Sequence, residues 1–109
     1  MFVYFLKTVR GGSRLKIGKA NDPVARMRSL QTGSPQGFRL IGALKCRDEA
    51  HALRVEKALH ERFAGNRIHG EWFMGRDYVI REVGDLLNSY MSANGPVKTY
   101  TEQELLSMK

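Results

Sequence analysis

The sequence predicts an α/β (α+β) domain in which helices flank a small, three-stranded and mostly antiparallel sheet, with the element order β-β-α-β-α-α. Two observations carry this prediction. Segments rich in β-branched and aromatic residues occur early in the chain and are separated by a glycine turn. Later segments space their apolar residues three and four apart, which is the period of a helix with one buried face. The 109 residues suffice for one domain of this kind.

Three segments are predicted to be strands. Residues 2–6 are apolar and aromatic throughout, which is typical of a strand at the centre of a sheet. The glycine turn that follows leads to residues 15–18, the predicted hairpin partner. Residues 38–46 follow a loop that contains glycine and proline, and they form the third predicted strand.

Three helices are predicted from their first residues and their apolar spacing. A carboxylate just before a helix can accept hydrogen bonds from the free amides of the first turn, and this role is predicted for Asp22, Asp48 and Asp77. Pro23 suits the first position of the first helix, where its missing N–H is not needed. The second helix is predicted over residues 49–63.

We expect residues 1–94 to form the domain and residues 95–109 to form a C-terminal tail, in which a capping box at Thr101 is typical of a short helix. Cys46 is the only cysteine, so the chain has no internal disulfide, and a buried structural thiol is expected. The longest apolar run is far too short to span a membrane. We therefore expect a cytoplasmic protein without a membrane partner.

The net charge of +7 is distributed unevenly along the chain. Residues 1–46 contain nine Lys/Arg and one Asp/Glu, whereas residues 47–109 contain nine Lys/Arg and ten Asp/Glu. A positive field on one side of a protein concentrates polyanions and speeds their association. Solubility alone would not require this asymmetry, so the charge favours nucleic acid as the partner.

The second predicted helix contains a carboxylate beside its apolar face. That face consists of Ala52, Val55, Leu59 and Phe63. At about 100° per residue, Glu56 lies about 40° from Ala52 around the helix, and His60 lies about 80° from it. A carboxylate among apolar neighbours loses hydration unless it has a partner or a metal ion. The alternative is a glutamate at the rim of the core, whose charged end reaches water.

Three more polar side chains have both a chemical and an ordinary interpretation. Tyr4 lies in the first strand, where a buried tyrosine commonly just hydrogen-bonds its hydroxyl. Lys16 lies between two apolar residues of the second strand and points to the opposite face. Its ordinary interpretation is a lysine on an edge strand, where the charge hinders aggregation. Arg26 could be a solvated arginine of the first helix. Position alone does not decide between these interpretations.

Together, these residues resemble the GIY-YIG nuclease superfamily in order and spacing. Tyr4, between Val3 and Phe5, stands where the family has its first tyrosine motif, and Lys16-Ile17-Gly18 stands where it has its second. Arg26 follows Gly18 by eight residues and matches the helix arginine of the family. Glu56, in the helix after the third strand, matches its metal-binding glutamate.

The pattern is most similar to a short branch of that superfamily, common in phages and microbial genomes, whose second motif contains Lys-Ile-Gly. That branch continues with Asp-Pro, then Glu-x-x-x-His, then Gly-Glu-Trp-Phe. The corresponding residues here are Asp22-Pro23, Glu56 to His60, and residues 70–73. The resemblance covers residues 3–73, and the last third of the chain is matched poorly.

The resemblance implies hydrolysis of phosphodiester bonds of DNA at one divalent metal ion, Mg²⁺ or else Mn²⁺. Carried over to this sequence, Glu56 holds the metal and Tyr4 helps to activate the attacking water. Arg26 neutralises charge on the phosphate in the transition state. His60, one helical turn after Glu56, orients that carboxylate or transfers a proton. Nucleic-acid binding is expected from Arg10, Arg14, Lys19 and Arg28.

The main departure from the family pattern is Lys16, which stands where the family has its second tyrosine. If Lys16 shares a face with Tyr4, it is placed to lower the pKa of the tyrosine or to bind phosphate. It equally fits a site that has lost catalysis.

Three hypotheses about function follow. The first is a metal-dependent DNA endonuclease, with RNA as a further substrate not excluded and with a homodimer as one source of sequence specificity. The second is a catalytically degenerate nucleic-acid-binding module of the same fold. The third is a protein–protein adaptor that uses the tail helix. Incubation of plasmid with the protein and Mg²⁺ or Mn²⁺ separates the first two.

Overall fold

The centre of the fold is an antiparallel hairpin of β1 (Phe2–Thr8) and β2 (Arg14–Ala20), with β3 (Phe38–Lys45) antiparallel on the other side of β1. These are the three predicted strands, each extended by a few residues or shortened by one. The computed structural model describes residues 1–10, 12–33, 37–94 and 99–100. The capping box predicted at Thr101 lies outside the described residues.

The three predicted helices are present as α1 (Pro23–Gln31), α2 (Glu49–Arg62) and α3 (Asp77–Asn94). Asp22 accepts a hydrogen bond from the Ala25 amide at 3.1 Å, and Asp48 accepts one from the His51 amide at 2.7 Å. Both predicted caps are thus confirmed. Asp77 is instead the first residue of α3, where a carboxylate is still favoured by the helix dipole.

Three short strands extend the sheet beyond the predicted three. They are β4 (Arg67–His69), β5 (Trp72–Met74) and β6 (Thr99–Tyr100), and within the described residues the strand order is β4-β5-β2-β1-β3-β6. Residues 66–75 appear irregular in the sequence because a strand of three residues is too short to show alternation. Gly70, with a φ of 55°, makes the tight turn between β4 and β5. The predicted sheet flanked by helices is confirmed, with added edge strands.

Side chains alternate across β1 and produce a hydrophobic core on each face of the sheet. Val3 and Phe5 face α2 and α3, where the core also contains Phe63, Phe73 and the buried thiol of Cys46. The other face packs against α1 through a smaller cluster of Phe2, Tyr4, Leu6, Val24, Met27, Leu40 and Ala43. The sheet is therefore the middle of three layers. Among the described helices, none is long and apolar enough to cross a membrane.

Candidate functional site

Tyr4 and Gly18 make a close contact at the centre of the β1–β2 hairpin. The two residues are directly opposite each other, and the Tyr4 side chain is 1% exposed. A β-carbon placed on Gly18 would lie 2.7 Å from the Tyr4 hydroxyl oxygen, closer than real β-carbons approach other atoms. The absence of a side chain at Gly18 therefore gives the Tyr4 phenol its place across β2.

Lys16 lies on the same face of β2 as Gly18, because Leu15 and Ile17 both point into the opposite core. Because Tyr4 is directly opposite Gly18, Lys16 and Tyr4 share one face of the sheet, and the condition set for a joint role is met. Lys16 is only 7% exposed, and its Nζ lies 3.0 Å from Glu71 Oε1. A lysine this deeply buried requires such a partner, because an unpaired charge would pay a large cost in lost hydration.

Glu71 is the site residue to which sequence analysis assigned no role. Its Oε1 lies 2.8 Å from the position of a β-carbon on Gly18, so it flanks Tyr4 over the same glycine. The Glu71 carbonyl accepts a hydrogen bond from the Ile17 amide at 3.0 Å, which fixes the residue beside β2. Its one trace in the sequence is membership of the Gly-Glu-Trp-Phe motif, and its position depends on β5, which was not predicted.

The pKa of the Tyr4 phenol shows which charged groups surround it. Burial raises this pKa, a hydrogen bond with the Arg26 side chain lowers it, and the charges of Glu71 and Glu56 raise it further. The net shift is upward, so the phenol is protonated at neutral pH. Of the two roles considered for Lys16, lowering the tyrosine pKa is therefore not seen, and binding of phosphate stays a prediction. The same interactions bring Tyr4, Arg26 and Glu56 together, although Arg26 itself is exposed on α1.

Glu56 reaches the site from α2 and is half-buried. Its pKa is raised, first by burial and then by the charge of Glu71, while His60, Lys19 and Lys16 act in the opposite direction. Its Oε2 is buried and has no hydrogen-bond partner in the described part of the chain. A buried carboxylate oxygen without a partner is destabilising and is suited to a cation.

His60 is held between α2 and the sheet. Its Nε2 lies 2.9 Å from the carbonyl oxygen of Ile17, and because a carbonyl only accepts, Nε2 carries the proton in this contact. The imidazole ring also packs on Phe73, with 5.2 Å between ring centroids. These contacts fix His60 near Glu56 and leave Nδ1 as its other polar atom.

The four residues predicted to bind nucleic acid are spread over the basic half of the domain. Arg10 is exposed beside the hairpin turn, and Arg28 is exposed in the last turn of α1. Arg14 is exposed on the face that carries Lys16, whereas Lys19 points to the other face and lies 3.6 Å from Glu49. Arg14 and Lys19 are five residues apart, or about 17 Å along an extended strand. Arg10 and Arg14 therefore flank the site at the hairpin end of the sheet.

The described residues contain no group of three or more His, Cys, Asp or Glu side chains that could enclose a metal ion. Glu56 supplies one carboxylate with a buried and unpartnered oxygen. Mg²⁺ commonly binds through one or two carboxylates and retains several waters. The residues present therefore fit Mg²⁺ or Mn²⁺ held by Glu56 together with water and phosphate oxygens, and they do not fit a structural metal site.

A buried tyrosine, an arginine, a lysine and two carboxylates lie close together at the β1–β2 hairpin of a chain whose positive charge is one-sided, and this set of groups is suited to a nuclease-like domain that binds nucleic acid. Comparison with known families agrees with this class. The chain belongs to the T5orf172 domain family, whose model matches residues 1–90. This is a phage-associated family of nuclease-like or DNA-binding domains. No curated protein and no solved structure was found to match the chain.

Proposed function

We propose that this T5orf172 domain is a GIY-YIG-type endonuclease, which hydrolyses phosphodiester bonds of DNA with one divalent metal ion. The observation that carries the proposal is that Tyr4 lies against Gly18, where β2 lacks a side chain, with Lys16 on the same face and with Arg26 and Glu56 close enough to act on the Tyr4 phenol. Four different elements, β1, β2, α1 and α2, supply these groups, which is typical of a site selected for chemistry rather than for packing alone.

Each side chain has a role suited to its chemistry. The Arg26 guanidinium presents several N–H donors to the oxygens of a phosphate, and Lys16 supplies a point charge beside it. The Tyr4 hydroxyl, kept protonated by burial, accepts a hydrogen bond from Arg26 and would donate a hydrogen bond through its own O–H to an oxygen at the reacting phosphate. Glu56 would hold the metal ion, which when bound stabilises negative charge developing on the phosphate.

The role we assign to His60 is to position Glu56. Its Nε2–H is used by the Ile17 carbonyl, so His60 connects α2 to the strand that carries Gly18. Loss of this contact would let the Glu56 helix move relative to Tyr4. The Nδ1 atom, which is free of that bond, is the one available for proton transfer.

A second function, DNA binding without cleavage, is favoured by one specific observation. Lys16 occupies the place of the second family tyrosine, and Glu71 neutralises its charge at 3.0 Å. A lysine that is paired in this way is a weaker phosphate ligand than a free one. In this alternative the fold and the basic face remain, and the site has lost hydrolysis.

The deciding experiment measures nicking of supercoiled plasmid with Mg²⁺, with Mn²⁺ and with EDTA. Nicking that requires the metal, is abolished in Glu56→Ala and is strongly reduced in Tyr4→Phe supports the endonuclease. DNA binding, measured by anisotropy in EDTA, should survive Glu56→Ala, because a negative charge has left a site for a polyanion. The exposed Glu61 of the same helix provides the matched control, Glu61→Ala. A wild-type protein that binds DNA and nicks with neither metal establishes the binding module instead.

A further inference from the structure

A small pocket lies beside the candidate site on the same side of the sheet. It is lined by Arg14, Ile68, His69 and Trp72, has a volume of about 90 Å³, and is named the Trp72 pocket below. Trp72 is the direct partner of both Lys16 on β2 and His69 on β4. Directly opposed side chains of an antiparallel pair lie on one face, so the pocket and the Lys16 side chain share that face.

This part of the sheet is open to solvent. The buried core cluster under α1 consists of residues from α1, β1 and β3 and includes none from β4 or β5. Ile68 and His69 are exposed, and Trp72 is half-buried. The pocket is far smaller than the roughly 300 Å³ or more of pockets that enclose a drug-sized ligand. It therefore suits one planar ring that enters from solvent.

The Trp72 indole is fixed in position before any ligand arrives. The ring of Phe38 packs against it with centroids 5.8 Å apart, and Lys16 Nζ lies 5.2 Å from its centroid. A fixed aromatic ring on an open sheet face is a stacking surface for unpaired bases, which gain about 1–3 kcal/mol each from such stacking. Arg14 adds a cation at the rim, within the part of the chain whose net charge is positive.

We propose that the Trp72 pocket binds one unpaired nucleobase of a DNA strand whose neighbouring phosphate lies at Lys16 and Arg26. The placement of that phosphate rests on the proposed function, whereas the pocket itself does not. Lys16 connects the two places, because its Nζ contacts both Glu71 at the site and the Trp72 ring. The preferred substrate is then DNA with unpaired bases, such as a single-stranded segment, a flap or a frayed end.

A protein partner is the competing occupant of the same surface. An apolar peptide would use Ile68 and Trp72 but would gain little from Arg14. The charge distribution favours a polyanion, since residues 1–46 contain nine Lys/Arg and one Asp/Glu. A nucleotide satisfies the ring and the cation together, with its base on Trp72 and its phosphate on Arg14.

Trp72 is the only tryptophan in the chain, so its fluorescence reports on the pocket directly. The experiment titrates the full-length protein in EDTA with three DNAs: a single-stranded oligonucleotide, a blunt duplex of the same sequence, and an abasic strand with the same number of phosphates. We expect the single strand to quench Trp72 strongly. The abasic strand should bind through charge with little quenching, and the duplex should quench less than the single strand. Equal quenching by the abasic strand, or quenching by the duplex alone, overturns the proposal.

Two variants test whether the pocket causes the preference. His69→Ala changes an exposed pocket residue and keeps the fluorophore, and we expect it to weaken single-strand binding several-fold without changing binding of the abasic strand. Tyr78→Ala removes an exposed aromatic side chain that hydrogen-bonds Asn66 elsewhere, and it should leave both affinities unchanged. Equal affinity of His69→Ala and the wild type for the single strand contradicts the proposal.

Failure of the pocket and failure of the nuclease proposal give different results. Base-dependent quenching without plasmid nicking leaves the pocket intact and removes catalysis. Nicking together with quenching that ignores the bases leaves catalysis intact and removes the pocket.

Discussion

The Tyr4 hydroxyl oxygen lies 2.7 Å from the point at which a β-carbon of residue 18 would stand, and the tyrosine is only 1% exposed. We therefore predict that Gly18→Ala displaces Tyr4 and Glu71 together. Overpacking of this kind typically costs about 1–3 kcal/mol. Urea unfolding should show that loss, and cleavage should fall further than the loss of folded protein explains.

The matched control is Gly65→Ala, because a β-carbon there would meet no atom within 4 Å. It should leave both stability and cleavage close to wild type. If Gly18→Ala also retains full activity and stability, the close contact between Gly18 and Tyr4 is needed for neither, and the prediction is wrong.

Sequence analysis predicted the main strands and the helices better than it predicted the edges of the sheet. The three main strands and the helices were predictable because segments of seven or more residues display a period and an end signal. Tyr4, Lys16, Arg26 and Glu56 were assigned to the site through resemblance, and their roles in it stay predictions. Glu71 could not be given a role, since its position depends on how β5 pairs with β2. The raised pKa of Tyr4 was missed because burial outweighs neighbouring charges.

Glu56→Gln is predicted to stabilise the metal-free protein at neutral pH, because the wild-type carboxylate is desolvated and Oε2 lacks a partner. The folded pKa of Glu56 is raised above its ordinary value near 4.5. Below that value the Glu56 carboxyl is protonated in both the folded and the unfolded protein, and the cost of burying a charged carboxylate is absent. This cost appears as pH rises through the folded pKa of Glu56 and persists above it. Unfolding in EDTA at pH 7 and at pH 4 should show a difference at pH 7 that shrinks at pH 4.

Added Mg²⁺ should reverse the order of stability, so that the wild type becomes more stable than Glu56→Gln. A cation at ten times its Kd stabilises the wild type by about 1.4 kcal/mol and gives the Gln variant much less. Glu61→Gln, an exposed change on the same helix, should behave as wild type throughout. If Mg²⁺ stabilises Glu56→Gln as much as the wild type, Glu56 is not the metal ligand.

The Lys16–Glu71 ion pair is predicted to couple DNA binding to cleavage. Lys16→Ala leaves Glu71 unpaired near Tyr4 and Glu56, so the rate should fall more than the affinity. Glu71→Gln frees Lys16 for phosphate, and affinity should rise by about fivefold, or about 1 kcal/mol. The double variant should show a clear coupling energy in single-turnover cleavage and in binding. If Lys16→Ala changes affinity alone, the binding-module alternative is favoured.

Truncation after Met74 is predicted to unfold the protein. It removes α3, whose Val79 and Val83 are fully buried against the sheet. Each large buried side chain contributes about 1.5–3 kcal/mol, so the loss is a substantial part of the stability of a small domain. Circular dichroism and thermal melting would measure this. The fragment of residues 1–94 should fold cooperatively, as the proposed domain boundary requires, and a folded fragment of residues 1–74 would contradict the prediction.

The last prediction concerns the salt dependence of DNA binding. The positive charge of residues 1–46 should make log K fall with log[salt] by about 0.9 for each phosphate contacted. Arg14→Glu and Arg10→Glu should each weaken binding and reduce the magnitude of the slope by about 0.9 or more, because each variant loses a contact near the site. Lys19→Glu and Arg28→Glu should have the same effect if the strand continues past α1 and α2.

Arg81→Glu is the matched control, since it reverses an exposed arginine on α3, in the part of the chain without excess positive charge. Its net charge equals that of the other variants, so any effect of total charge alone would appear in it as well. Binding isotherms from 50 to 200 mM salt should give it a slope close to wild type. Equal slopes for all five variants would mean that the basic half does not contact the phosphates, and an affinity that ignores salt would remove nucleic acid as the partner.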